Sequence, residues 1–226
     1  IRKFSNLPVR YVINTHVHLD HIYGNATFVG ENVDFIGHVE LPKAMALRKE
    51  FYERINLEFL DVPIDQSIQI APNILIKPNE SKIFDLGNRK IKVTAFSIAH
   101  TKTDVTIEDM KTKTLWAGDL LFTERTPVID GDIHGFIAVI DKILMLDIEQ
   151  VIPGHGTPTK KWKEAFLKEQ DYFKLLRDEV RLAIDNDQDL QLTIDTAGQS
   201  ESKKWELFDI QNARNINQIF PIMEWE

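Results

Sequence analysis

Residues 15–21 read Thr-His-Val-His-Leu-Asp-His and hold three of the chain's seven histidines. No other stretch restricts the fold as much, because four titratable side chains follow directly on an apolar run, VRYVIN at residues 9–14. That run reads as a buried strand ending at the polar pair Asn14-Thr15. In an extended segment residues i, i+2 and i+4 point the same way, which is the spacing of His16, His18 and Asp20. His21 falls at the turn into a short helix and takes a neighbouring direction. One loop can thus present two pairs, His16/His18 and Asp20/His21, a spacing suited to two adjacent metal ions.

Each ion needs further ligands. The chain has no cysteine, so thiolate ligands and disulfides are both excluded. Histidine and carboxylate remain, and they suit zinc. Three such residues end apolar strands: His100 after KVTAFSIA, Asp119 after TLWAG and His155 after EQVIPG. Strand ends are where α/β folds build function. A single histidine there is ordinarily a polar core or surface residue; the joint pattern points to a metal site.

The remaining elements read as a layered α/β fold. A strand is expected at 33–37 and a helix at 41–60, with Ala44, Leu47, Phe51, Ile55 and Phe59 on its apolar face. KIFDL and KIKVTAFSI flank a tight turn at Gly87-Asn88-Arg89, and DVTIED and TLWAGD follow, giving four consecutive antiparallel strands. An amphipathic helix at 135–146, a short strand EQVIPG and a long helix at 159–185 come next, then shorter helices near 189–197 and 203–219. Without a repeat or linker, the chain is expected to be one domain, 1–226, with a helical extension from about residue 159.

The net charge of −8, with no basic arm or stripe, argues against a nucleic-acid partner. No apolar run approaches the ~18–20 residues of a membrane helix. A soluble protein is expected, and a cysteine-free chain suits the cytoplasm and the bacterial periplasm equally.

The motifs His16-Val17-His18-Leu19-Asp20-His21, His100, Gly118-Asp119 and Pro153-Gly154-His155-Gly156 resemble those of the metallo-β-lactamase superfamily over about residues 9–160. The resemblance implies a four-layer αβ/βα sandwich. It implies that His16, His18 and His100 hold one ion, that Asp20, His21 and His155 hold the other, and that Asp119 bridges them. The implied cofactor is two Zn2+ per chain, with iron or manganese as substitutes. Aspartate at 119 is typical of glyoxalase-II-like and other general hydrolases, where many β-lactamases carry cysteine or no ligand. The ending RNINQIFPIMEWE and the helix before it look more like bacterial metallohydrolases found alongside quinoprotein or sulfur-oxidation systems, often exported, than like the helical domain of glyoxalase II. Superfamily members have two or three strands before the histidine motif, which here begins at residue 16. The first strand is therefore expected to lack its usual sheet neighbours and to leave an open edge, with the missing strands supplied by a longer protein or by a second chain in a dimer.

The implied activity is dinuclear zinc hydrolysis of a thioester, ester, lactone or amide. The metals lower the pKa of water to roughly 7, and the resulting hydroxide attacks the carbonyl while Asp20 orients it and handles a proton. Two divalent ions, two carboxylates and a hydroxide leave a formal charge of about +1, favouring an electron-rich or anionic small molecule. The alternatives are a mononuclear iron sulfur oxygenase similar to the persulfide dioxygenases, and a β-lactamase. Asn14, Thr15 and Thr101 are candidate partners of the ligand histidines. His134, in DGDIHGF, is a possible substrate contact, and His38 reads as a cap or a surface residue.

Overall fold

In the computed structural model, which describes residues 1, 3–30, 32–60 and 69–226, two β-sheets meet across an apolar seam. The first sheet is parallel, in the order β1 (Tyr11–Ile13), β2 (Asp34–His38), β3 (Ile74–Ile76). The second runs β4 (Ser81–Asp85), β5 (Lys90–Ala95), β6 (Val105–Asp109), β7 (Thr114–Phe122), β8 (Gln150–His155); it is antiparallel as far as β7, and β8 pairs parallel to β7. Ile36 and Ile76 of the first sheet pack against Phe84, Val93, Val105 and Ile107 of the second. On the outer side of the first sheet lie α1 (Leu19–Ile22) and α2 (Leu41–Leu60), where Leu41 reaches β2 at Gly37. Outside the second lie α3 (Ile133–Leu144) and α4 (Trp162–Asp185), joined by α5 (Leu190–Thr196) and α6 (Phe208–Met223) in the largest core cluster. The order helix, sheet, sheet, helix is the four-layer sandwich that the motifs imply.

Local chemistry explains the main joints. Gly87 and Asn88 both take positive φ, +79° and +56°, closing the β4–β5 hairpin with a two-residue turn. Parallel β7 and β8 need a crossover, and α3 supplies it. Asp132 caps α3 by accepting from the Gly135 amide at 2.6 Å, and Ile133, Phe136, Ile140 and Ile143 bury one stripe. The crossover puts the ends of β7 and β8 at one edge. The end of β1 joins that edge, since the Val105 amide donates to the Thr15 carbonyl at 2.8 Å.

Several expectations need correction. The strand β3 is too short to stand out in the sequence. The buried residues of α2 are Leu41, Met45 and Tyr52, whereas Leu47, Phe51 and Phe59 are exposed. Polar groups set this rotation: the Tyr52 hydroxyl donates to the Val17 carbonyl at 3.2 Å, and Arg48 turns inward to Asp130. A count of apolar spacing cannot register an inward-facing arginine. The long C-terminal helix starts at Trp162, because Thr159 is paired to Val151 as an antiparallel bridge.

Candidate metal site

The histidine loop bends instead of continuing β1. Asp20 and His21 lie in α1, so a helical turn, not an extended chain, carries them away from His16 and His18. Asp119 also departs from the expected place: it sits inside β7, at an irregularity in the pairing with β8 between Trp116 and Phe122. Two glycines make room there. A Cβ on Gly118, which has φ +54°, would meet the Thr15 side chain at 2.7 Å, and one on Gly154 would meet Asp119 Oδ1 at 1.9 Å.

The seven side chains converge in two groups, His16/His18/His100/Asp119 and Asp20/His21/His155, each with its donor atoms within 4.8 Å of one another. In the first, His18 Nδ1 lies 3.0 Å from His16 Nε2 and 3.1 Å from His100 Nε2. In the second, Asp20 Oδ2 lies 3.2 Å from both His21 Nε2 and His155 Nε2. Asp119 stands between them. Its Oδ2 is 3.4 Å from His100 Nε2 and His155 Nε2, and its Oδ1 is 3.2 Å from His21 Nε2.

The outer nitrogens fix the tautomers. His100 Nδ1 donates to the Val128 carbonyl at 2.7 Å, leaving the Nε2 lone pair facing inward. His18 Nε2 donates to Asp130 Oδ2 at 2.8 Å, leaving Nδ1 free. Thr15 Oγ1 lies 3.1 Å from His16 Nδ1 and 3.3 Å from His21 Nδ1, and Asn14 donates to the His21 carbonyl at 3.0 Å. Such second partners orient metal-ligating imidazoles. Thr101, the third candidate, instead bonds Asp104. Asp130 was not foreseen from the sequence, nor was Arg48, which anchors it at 2.5 Å.

The electrostatics fit a cation. Burial holds His16 and His100 well below the ordinary imidazole range, His100 at about 4, so both present lone pairs. Burial also opposes a charge on His21, but Asp119 and Asp20 outweigh it and raise His21 to about 9; the same carboxylates raise His155 to about 10. Asp20 is held below the usual carboxylate range by His155 and His21. His21 Nε2 and Asp119 Oδ1 are buried and face each other at 3.2 Å without an aligned hydrogen bond among the described residues. Facing lone pairs and buried carboxylates that demand positive charge suit divalent ions with nitrogen and oxygen donors.

The site opens into a cavity of about 510 Å³. Phe122 forms one wall and stacks on the His155 ring at a centroid distance of 5.5 Å. The far wall comes from α6 and the residue before it: Leu207, Gln211 and Arg214. Leu207 holds φ +55°, a backbone state that costs a residue with a side chain ~1–2 kcal/mol. His134 is not among the lining residues; it lies in the first turn of α3, 3.3 Å from Glu226. His38 does act as a cap, accepting from the Glu40 amide, but it is buried, with its other nitrogen on the Phe96 carbonyl.

The fold and site define a four-layer α/β sandwich whose sheet edge clusters histidines and aspartates able to hold a metal ion. Residues 1–155 match the family model of the metallo-beta-lactamase superfamily, and the chain belongs to that superfamily. No curated protein matches it. Among solved structures it is similar to the stereoselective inverting sec-alkylsulfatase Pisa1 from Pseudomonas sp., with a TM-score of 0.74 and 15% identity over 97% of this chain. The chain spans 42% of the sulfatase's length. It is also similar to a metallo-beta-lactamase from Pontibacter korlensis (TM-score 0.52, 17% identity, 73% of this chain and 70% of that one). An archaeal superfamily protein from Sulfolobus tokodaii gives a TM-score of 0.56 at 17% identity, over 74% of this chain and 69% of that one. These identities show a shared fold. No described helix is long and apolar enough to cross a membrane.

Proposed function

We propose that this chain, as one domain with its C-terminal helices included, is a dinuclear zinc hydrolase acting on a carbonyl compound such as a thioester, ester or lactone. The observation that supports this reading is the pair of facing donor groups with Asp119 between them, opening into one cavity. His16, His18 and His100 would hold one ion; Asp20, His21 and His155 would hold the other; Asp119 would bridge. The ions supply an acidified water and an electrophile for the carbonyl oxygen. Asp20 lines the cavity and stays ionised at neutral pH, so it can accept a hydrogen bond from the attacking water and orient it. Phe122 and Val128 add apolar lining beside the donor groups.

The test is turnover of a panel of thioesters, esters, lactones and β-lactams by the zinc-loaded chain. Hydrolysis that His18→Ala abolishes, with the circular dichroism spectrum kept, is the expected result. Hydrolysis unaffected by His18→Ala would overturn the assignment, as would an active form holding one iron and consuming oxygen.

A further inference from the structure

The cavity carries more positive charge than a metal site explains. Three arginines line it: Arg48, Arg125 and Arg214. Arg48 is committed to Asp130 and Tyr52. Arg125 and Arg214 are exposed and have no carboxylate within 4.0 Å among the described residues, in a chain with 35 acidic and 27 basic side chains. Among the described residues, the acids that line the cavity are Asp20 and Asp119, and both face the histidines of the candidate metal site.

The two arginines come from different parts of the chain, and the backbone ties those parts together. Thr126 N and Oγ1 both donate to the Glu206 carbonyl, at 3.0 and 2.9 Å, and the Glu206 amide donates to the Glu124 carbonyl at 2.9 Å. This clasp joins the loop of Arg125 to the residue before Leu207, where α6 begins. Gln211, one turn before Arg214, lines the same cavity, and its Oε1 is buried without a hydrogen-bond partner among the described residues. An amide can present either its acceptor or its donor end to a ligand. Phe51, Ile55 and Leu207 add apolar lining.

Arginines that line a partly apolar cavity and have no carboxylate partner among the described residues can recognise oxyanions by paired N–H donors. Resting on the hydrolase reading, we infer that the substrate carries an oxyanion group apart from the bond that is cleaved. Arg125 and Arg214 bind that group, and Phe51, Ile55 and Leu207 hold the apolar part beside it.

Two measurements on the zinc-loaded chain test this. The first compares hydrolysis of mono-4-nitrophenyl glutarate with that of the near-isosteric neutral ester, 4-nitrophenyl valerate. A kcat/KM at least tenfold higher for the glutarate is expected. Arg125→Gln and Arg214→Gln should each remove most of that preference through KM. The second measures equilibrium binding of 4-phenylbutyrate, 4-phenylbutanesulfonate and neutral 4-phenylbutanol by calorimetry, and needs no turnover. Tighter binding of either anion than of the alcohol, lost in both arginine variants, supports the inference even if neither ester is hydrolysed, an outcome that would count against the hydrolase reading alone. The tighter anion of the two identifies the head group. Equal binding of all three ligands, or anion binding that survives both substitutions, overturns it.

Discussion

At the scale of single residues, the site depends on groups that turn the ligands as well as on the ligands themselves. Asp130 accepts from His18 Nε2 and is held at about 2, because the neighbouring His18 and Arg48 outweigh its burial. Asp130→Asn is expected to weaken zinc binding by about 10–100-fold, read by competition with a chromogenic chelator; unchanged affinity would remove Asp130 from this role. Gly154→Ala would drive a methyl group into Asp119 Oδ1, so it is expected to lower metal content as well as stability. The histidine and aspartate set could be foreseen because one chemical type recurs where apolar runs end. Asp130 could not. In IDGDIHG, Asp130 and Asp132 look alike, yet one caps α3 and the other reaches a histidine 112 positions away. Only the closed fold separates them.

At the scale of elements, β7 carries Asp119, which stands between the two donor groups, and α4 holds the end of that strand. Glu169, buried on α4, accepts from the Phe122 amide at 3.0 Å. Burial keeps its carboxyl well above the ordinary range, so the folded chain retains a proton that the unfolded chain releases above pH ~4.3. Stability therefore falls as pH rises above the unfolded value, by up to about 1.4 kcal/mol per unit, until the folded value is passed. Glutamine keeps the acceptor and cannot ionise. Urea unfolding of the chelator-treated protein should show the wild type losing more stability than Glu169→Gln between pH 5 and pH 8, and parallel losses would contradict this. The hairpin strands and α3 were legible because alternation, a Gly-Asn turn and a continuous apolar stripe are local signals. The face of α2 was not, since Arg48 and Tyr52 turn inward for partners far away in sequence.

At the scale of the molecule, the metals are expected to act as structural ties between layers. His16, His18, Asp20 and His21 follow the first sheet, while His100, Asp119 and His155 belong to the second. A ligand at 100 times its dissociation constant stabilises the fold by about 2.7 kcal/mol, so chelation should lower the melting temperature by several degrees and zinc should restore it. The layer order was legible from the alternation of strands and helices. The cavity wall formed by Leu207, Gln211 and Arg214 was not, because it depends on how α6 docks back over the site. The most direct test of the two-ion centre is zinc bound per chain at saturation, by equilibrium dialysis and elemental analysis. Two ions per chain, reduced when Asp119 is replaced by alanine, are the expected result. Saturation at one ion or none, in a folded wild-type chain, would contradict it.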